Sequence, residues 1–237
     1  MGTPPADKAS YDTFLAELFG VMAYGELSAF ERLSSDARYS PTLHDRAVLG
    51  RIAVAEFQHY ELVSARLAEM GIDVEDAMRP FQPAVDHFHE RTKPGDWYES
   101  LMKAYVVDSV ALDFYRAVSA YFDEGTRSLI EAIQSSDSSA DVLRGLLKKC
   151  LADDPRLASR LALWSRRLLG EALTQAQRVG LEHAFMGTLI TGGPGAAGSE
   201  SAGSESAGST QREAVTRLLQ ELVEGHSRRM AGLGLTA

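Results

Sequence analysis

The stretch Leu49 to Val63, LGRIAVAEFQHYELV, constrains this chain more than any other. Wound as a helix, it aligns Leu49, Ile52, Glu56, His59, Tyr60 and Val63 on one face, because positions three, four and seven apart coincide. A carboxylate and an imidazole then sit inside an apolar stripe. Burying an ionised carboxylate without a partner costs several kcal/mol. A fold that buries this face must therefore supply a countercharge or a cation.

The rest of the chain repeats the helical period. Phe14, Leu18, Met22, Phe30 and Leu33 recur at spacings of three and four, so a first helix is expected from about Tyr11 to Ser34. Ser40 as N-cap and Pro41 in the first turn open a second, which Gly71 stops after Met70. Pro80, Pro83, Pro94 and Gly95 break the pattern over residues 72–95, leaving room for short helical turns. Asp96 and Glu99 form a capping box for a third helix running from Trp97 to about Phe122. Shorter helices follow over Thr126 to Gln134 and from Ser138 or Ser139 to Cys150. Asp154-Pro155 then opens a fourth long one, reaching about Phe185. No alternating run bounded by turns suggests a strand.

Gly192 to Thr210, GGPGAAGSESAGSESAGST, is of another kind. Such Gly/Ser/Ala sequence buries too little apolar surface to order itself and reads as a flexible linker. Beyond it Val215, Leu218, Leu219, Leu222 and Val223 line one face of a last helix, which needs either the bundle or a second subunit as its partner. The expected organisation is a helical domain over residues 1–190, a linker over 191–210 and a C-terminal amphipathic helix over 211–237. Four long helices, with a longer connection between the second and third, give an all-α, antiparallel four-helix bundle with a crossover, as in ferritin-like folds.

That architecture calls for inward acids at mid-helix. Glu26 has Phe19, Met22, Phe30 and Leu33 on its face; Asp108 has Leu101, Ala104, Ala111, Leu112 and Tyr115. Glu171 follows Leu161, Trp164 and Leu168 on its stripe, then meets Thr174 and Gln175. With Glu56 and His59 these are the candidate metal ligands. Carboxylates and an imidazole projecting from several rigid helices are what a pair of iron ions needs. The same residues also suit a buried polar network, with Glu56 bonded to His59 and Glu171 paired to Arg167.

Other candidates carry less. Asp86-x-x-His89 lies in the proline-bounded crossover, His44 and His226 read as solvated, and Tyr60 and Tyr115 as aromatic packing. Lys148, Lys149, Arg160, Arg166 and Arg167 make a locally basic region. It is the one surface in the sequence suited to phosphate, in a chain whose net charge of −9 disfavours nucleic acid. A single cysteine, Cys150, fits a reducing compartment. No apolar run is long enough to span a membrane, and the N-terminus lacks the apolar centre of a secretory signal. A cytoplasmic location is expected.

The runs ELFGVMAYGELSAFERL, AEFQHYE, AYVVDSVALDFY and LWSRRLLGEALTQAQRV resemble a ferritin-like family related to the tRNA hydroxylase that acts on methylthio-isopentenyladenosine, in its uncharacterised bacterial branch. The resemblance covers about Asp12 to Gly187. It implies a non-haem di-iron site that activates dioxygen to hydroxylate a carbon–hydrogen bond, with manganese as the alternative metal and electrons from an external donor. On that pattern Glu56 and Glu171 would bridge the ions, Glu26 and Asp108 would be terminal ligands, and His59 would be the nitrogen ligand. Thr174 stands where the family has its second histidine, so one ion would lack an imidazole. A modified nucleoside or a small molecule is the implied substrate, tRNA itself is disfavoured by the charge, and a homodimer is compatible with the unpartnered last helix.

Overall fold

The computed structural model describes residues 8–118, 122–135, 139–182 and 204–236. The described residues are helical and connecting segments, with no strand among them. Helices α1 (Lys8–Asp36) and α2 (Leu43–Glu69) are joined by a short connection and pack along each other. Short helices α3 (Val74–Met78) and α4 (Gln82–Arg91) cross over to α5 (Trp97–Val118). Helices α6 (Glu124–Ser135), α7 (Ser139–Asp153), α8 (Leu157–Glu182) and α9 (Ser204–Gly232) follow among the described residues.

Helix boundaries follow local chemistry. Thr42, not Ser40, caps α2: its hydroxyl accepts from the Asp45 amide at 3.0 Å and donates to the Asp45 carboxylate at 2.7 Å. Pro41 holds Ser40 extended, so the first turn starts beyond the proline. At the other end Gly71 takes φ 72°, and the Ile72 and Gly71 amides close back onto the Leu67 and Ala68 carbonyls. A left-handed glycine with this pair of bonds is the Schellman stop. At α5 the Asp96 half of the expected capping box forms, with the Glu99 amide donating to Asp96, while the Glu99 carboxylate accepts from the amide of Gly95, one residue before the cap. Asp123 caps α6 by accepting from the Thr126 amide, which moves the start of that helix ahead of Thr126.

Two apolar clusters fill the interior. One joins Leu33 of α1 and Leu49, Ile52 and Ala53 of α2 to α5, α7, α8 and the end of α9. The other joins Phe14, Leu18 and Met22 of α1 and Val63 and Leu67 of α2 to Phe81 and α6. On both α1 and α2 the polar residues Glu26, Glu56 and His59 occupy the interval between the clusters. Gly20 permits a close approach between α1 and α3, since a side chain there would meet the Ala77 carbonyl.

The last helix takes the chain itself as its partner. It packs on α5 and α8, burying Leu222 and Met230, with Leu233 buried just beyond its end, and the Arg229 guanidinium meets the Asp113 carboxylate of α5 at 2.6 Å. His226, expected in solvent, is 1% exposed, because this face of the helix is covered. Helix α9 begins at Ser204, inside the stretch expected to be linker. Glu205 and Ala207 are good helix formers, and extending an established helix through such residues costs little. The remainder of the expected linker lies outside the described residues, as do the expected last residues of α8.

Candidate metal centre

Helices α1 and α2 bring Glu26, Glu56 and His59 together. The Nδ1 atom of His59 lies 3.6 Å from a Glu26 carboxylate oxygen and 3.7 Å from one of Glu56. One potential ligand atom from each of the three lies within 4.8 Å of the others, the only such cluster among the described residues. Glu56 is 9% exposed and His59 5%. Among the described residues, His59 is the only basic side chain paired with either carboxylate.

The electrostatics are those of a site short of positive charge. Burial raises the Glu56 pKa, the Glu26 charge adds to the rise, and the bond to His59 opposes it. For His59, burial alone would lower the pKa; the Glu26 and Glu56 carboxylates outweigh it and raise it. Both shifts favour extra protons, which is what a cluster of ligands does when nothing else neutralises it. Two carboxylate oxygens and an imidazole nitrogen, converging in a buried place without lysine or arginine, fit a divalent metal ion such as iron or manganese.

A cavity of about 160 Å³ lies against the cluster. Helix α1 contributes Met22, Gly25 and Glu26, α2 contributes Glu56 and His59, and α5 contributes Asp108, Leu112 and Tyr115. Ile130, Ile133 and Ala140 of α6 and α7 form the remaining wall. Asp108 therefore lines the same space as the cluster. Tyr115 also lines it, and burial, reinforced by the Glu26 charge, raises its pKa far above the ordinary value. Its phenol keeps its proton at neutral pH.

Glu171, expected as a bridging ligand, does not lie with them in this structure. Its carboxylate accepts from Arg91 Nε and from Gln175 Nε2, each at 2.8 Å. Burial works to raise its pKa, but these two donors outweigh that and lower it. The physical reason is the position of α8, which packs on α4, α5 and α9 and contributes no residue to the cavity wall. Thr174 is exposed and donates to the Gly170 carbonyl. The position held by α8 in the sequence reading is taken at the cavity by α6 and α7.

The lesser candidates resolve as well. Asp86 accepts from the Tyr24 hydroxyl at 2.8 Å, and His89 faces a second, smaller cavity that also contains Lys103. Neither Lys103 nor that cavity stands out in the sequence, where a lysine between Met102 and Ala104 reads as a side chain reaching to solvent. In the basic region Lys149 pairs with Asp153, Arg160 with Asp96, and Arg166 and Arg167 donate to backbone carbonyls. No helix among the described residues is long and apolar enough to cross a membrane.

Comparison with curated proteins returns no match. A solved structure described as protein 19 with aldehyde deformylating oxidase activity, from Synechococcus, shares the fold at a TM-score of 0.60 and 20% identity, over 92% of this chain and 92% of that one. A family model described as a ferritin-like domain of actinomycetes matches residues 9–193. That span contains α1 to α8 and every residue of the cluster and its cavity, and the chain belongs to this family of ferritin-like domains.

Proposed function

We propose that this protein is a metal-dependent oxidoreductase of the di-iron type, holding iron through Glu26, Glu56 and His59 with Asp108 facing it across the cavity. The observation that carries the reading is the convergence of two buried ligand groups and one half-buried one, with no arginine or lysine between them among the described residues, beside a cavity. Bound iron would supply one-electron chemistry and the activation of dioxygen for oxidation of a carbon–hydrogen bond. The activity described for the Synechococcus protein is also an oxidation, on the same fold.

The chain's own groups suit that role. Glu26 and Glu56 supply negative charge for a cation, and His59 supplies a nitrogen donor once it gives up its proton. Met22, Leu112, Ile130 and Ile133 make the walls apolar, which limits water at the site. Tyr115 presents a protonated hydroxyl. The cavity volume of about 160 Å³ resembles that of an engineered void that admits benzene, so a small organic group has room there. Electrons would come from a separate donor protein. Hydroxylation of a small molecule is the finer form of this proposal.

A second reading, iron handling without substrate oxidation, is favoured by the single imidazole in the cluster. One experiment separates the two. Metal-free protein is loaded anaerobically with ferrous iron, desalted, and supplied with air, a chemical reductant and a panel of small organic compounds. Iron retention lost in His59→Ala, with oxygen uptake that rises with one of the compounds, is the expected result. Uptake in proportion to iron alone selects iron handling, and no retained iron refutes both.

A further inference from the structure

A second cavity, of about 60 Å³, adjoins the first and shares Ala29, Glu56, Val107 and Asp108 with it. Its far end is polar, with Lys103, His89, Ser100, Asp36 and Arg32. Lys103 is 6% exposed, yet its ammonium group makes one hydrogen bond, to the Thr92 carbonyl at 3.0 Å, and otherwise lies over the Phe88 ring at 5.3 Å. An ammonium group carries three donors, so two are left for whatever enters the cavity. Asp36 does not pair with it; that carboxylate accepts from the Ser100 hydroxyl at 3.0 Å. The Nδ1 atom of His89 is buried without a hydrogen-bond partner.

Burying an ammonium costs several kcal/mol unless it is compensated. Holding one backbone carbonyl does not require a charge, since a neutral donor would serve. Lys103 is the buried cation at this end, Arg32 being exposed, and the neighbouring Asp36 carboxylate is taken up by Ser100, while Glu56 and Asp108 lie toward the larger cavity. The volume is about that of two water molecules, the scale of a carboxylate group rather than of a ring or sugar. Burial lowers the Lys103 pKa to about 8, with Asp36 opposing, which leaves the group mostly protonated at neutral pH.

We propose that the smaller cavity binds the carboxylate of a small organic acid substrate on Lys103, with the hydrocarbon part extending past Glu56 and Asp108 into the larger cavity. The assignment as substrate rests on the reading of Glu26, Glu56 and His59 as a metal site; the carboxylate pocket itself does not. It turns a cavity of unknown purpose into one that fixes which end of the substrate lies away from the metal.

The test is calorimetric titration of hexanoate, hexanamide and hexylammonium into wild-type and Lys103→Met protein, each metal-free and loaded with manganese. The expected result is binding of hexanoate at least tenfold tighter than hexanamide in both metal states of the wild type, and loss of that preference in Lys103→Met. Methionine is close to lysine in length, and circular dichroism checks its fold. Should the variant not fold, the wild-type preference in the metal-free state decides the matter alone. Equal affinity for hexanoate and hexanamide in that state overturns the proposal. So does a preference that needs manganese and survives in Lys103→Met, because the carboxylate would then be on the metal. Failure of the protein to bind manganese would refute the metal reading and leave the carboxylate result legible.

Discussion

Between the raised pKa of Glu56, about 8, and that of His59, about 10, where both groups are charged, replacing Glu56 with glutamine is expected to stabilise the metal-free protein while abolishing its metal binding. The magnitude follows from the cluster's geometry. With ligand atoms no more than 4.8 Å apart, repulsion between the Glu26 and Glu56 carboxylates is at least about 3.5 kcal/mol at an effective dielectric of about 20. Attraction between Glu56 and a protonated His59 at 3.7 Å is about 4.5 kcal/mol on the same basis. Removing the charge therefore forfeits a net attraction of about 1 kcal/mol. Against that, it recovers the desolvation of a carboxylate only 9% exposed, which is several kcal/mol. The balance is stabilising by roughly 2 kcal/mol, a rise in Tm of roughly 4–8 °C for a chain of this size. Differential scanning fluorimetry of the metal-free variant, beside metal content after loading, reads both effects. A lowered Tm, or undiminished metal binding, would refute the reasoning. It would mean that Glu56 serves a structural hydrogen-bond network.

Four further outcomes are expected. Because Glu56 and His59 both have pKa values raised on folding, the metal-free protein binds extra protons when folded, so its stability should fall as pH rises from the ordinary glutamate value of 4.5 through the alkaline range. Metal affinity should climb over the same range, with protons released on binding, and a calorimetric titration in buffers of different ionisation heat measures that release. Glu171→Ala should leave metal content unchanged, since Arg91 and Gln175 hold that carboxylate, and a loss of metal would restore it as a ligand. Asp113→Ala removes the carboxylate that meets Arg229 at 2.6 Å and should loosen α9 by about 1–3 kcal/mol, seen as faster proteolytic clipping of the C-terminal helix. Clipping at the wild-type rate would show that apolar packing alone holds α9.

The part of the site on α1 and α2 is legible in the sequence because its signal is local. A Glu-x-x-His pair in an apolar stripe, and Glu26 amid Met22 and Phe30, announce buried charge without knowledge of the fold. Asp108 follows from the same rule on α5. Glu171 misleads for a definite reason: an apolar stripe says that a face is covered, not by what. The stripe on α8 is covered by α5 and α9, and the cavity's remaining wall comes from α6 and α7, whose apolar residues look like any core. His226 is hidden by the same ambiguity, since only the docking of α9 on α5 takes it out of water. His89 and Lys103 lie 30 and 44 residues beyond His59 in the sequence, and only the crossover brings Phe88 and Thr92 against Lys103. Caps such as Asp123 depend on a side chain 112 residues away, Tyr11, for part of their bonding.

The central claim, that Glu26, Glu56 and His59 hold a metal ion, is tested most directly by elemental mass spectrometry of the protein purified without added metal and again after ferrous loading and desalting. About one or more iron or manganese ions per chain is expected, falling to background in His59→Ala with the fold intact. Background metal in the loaded wild-type protein would contradict it.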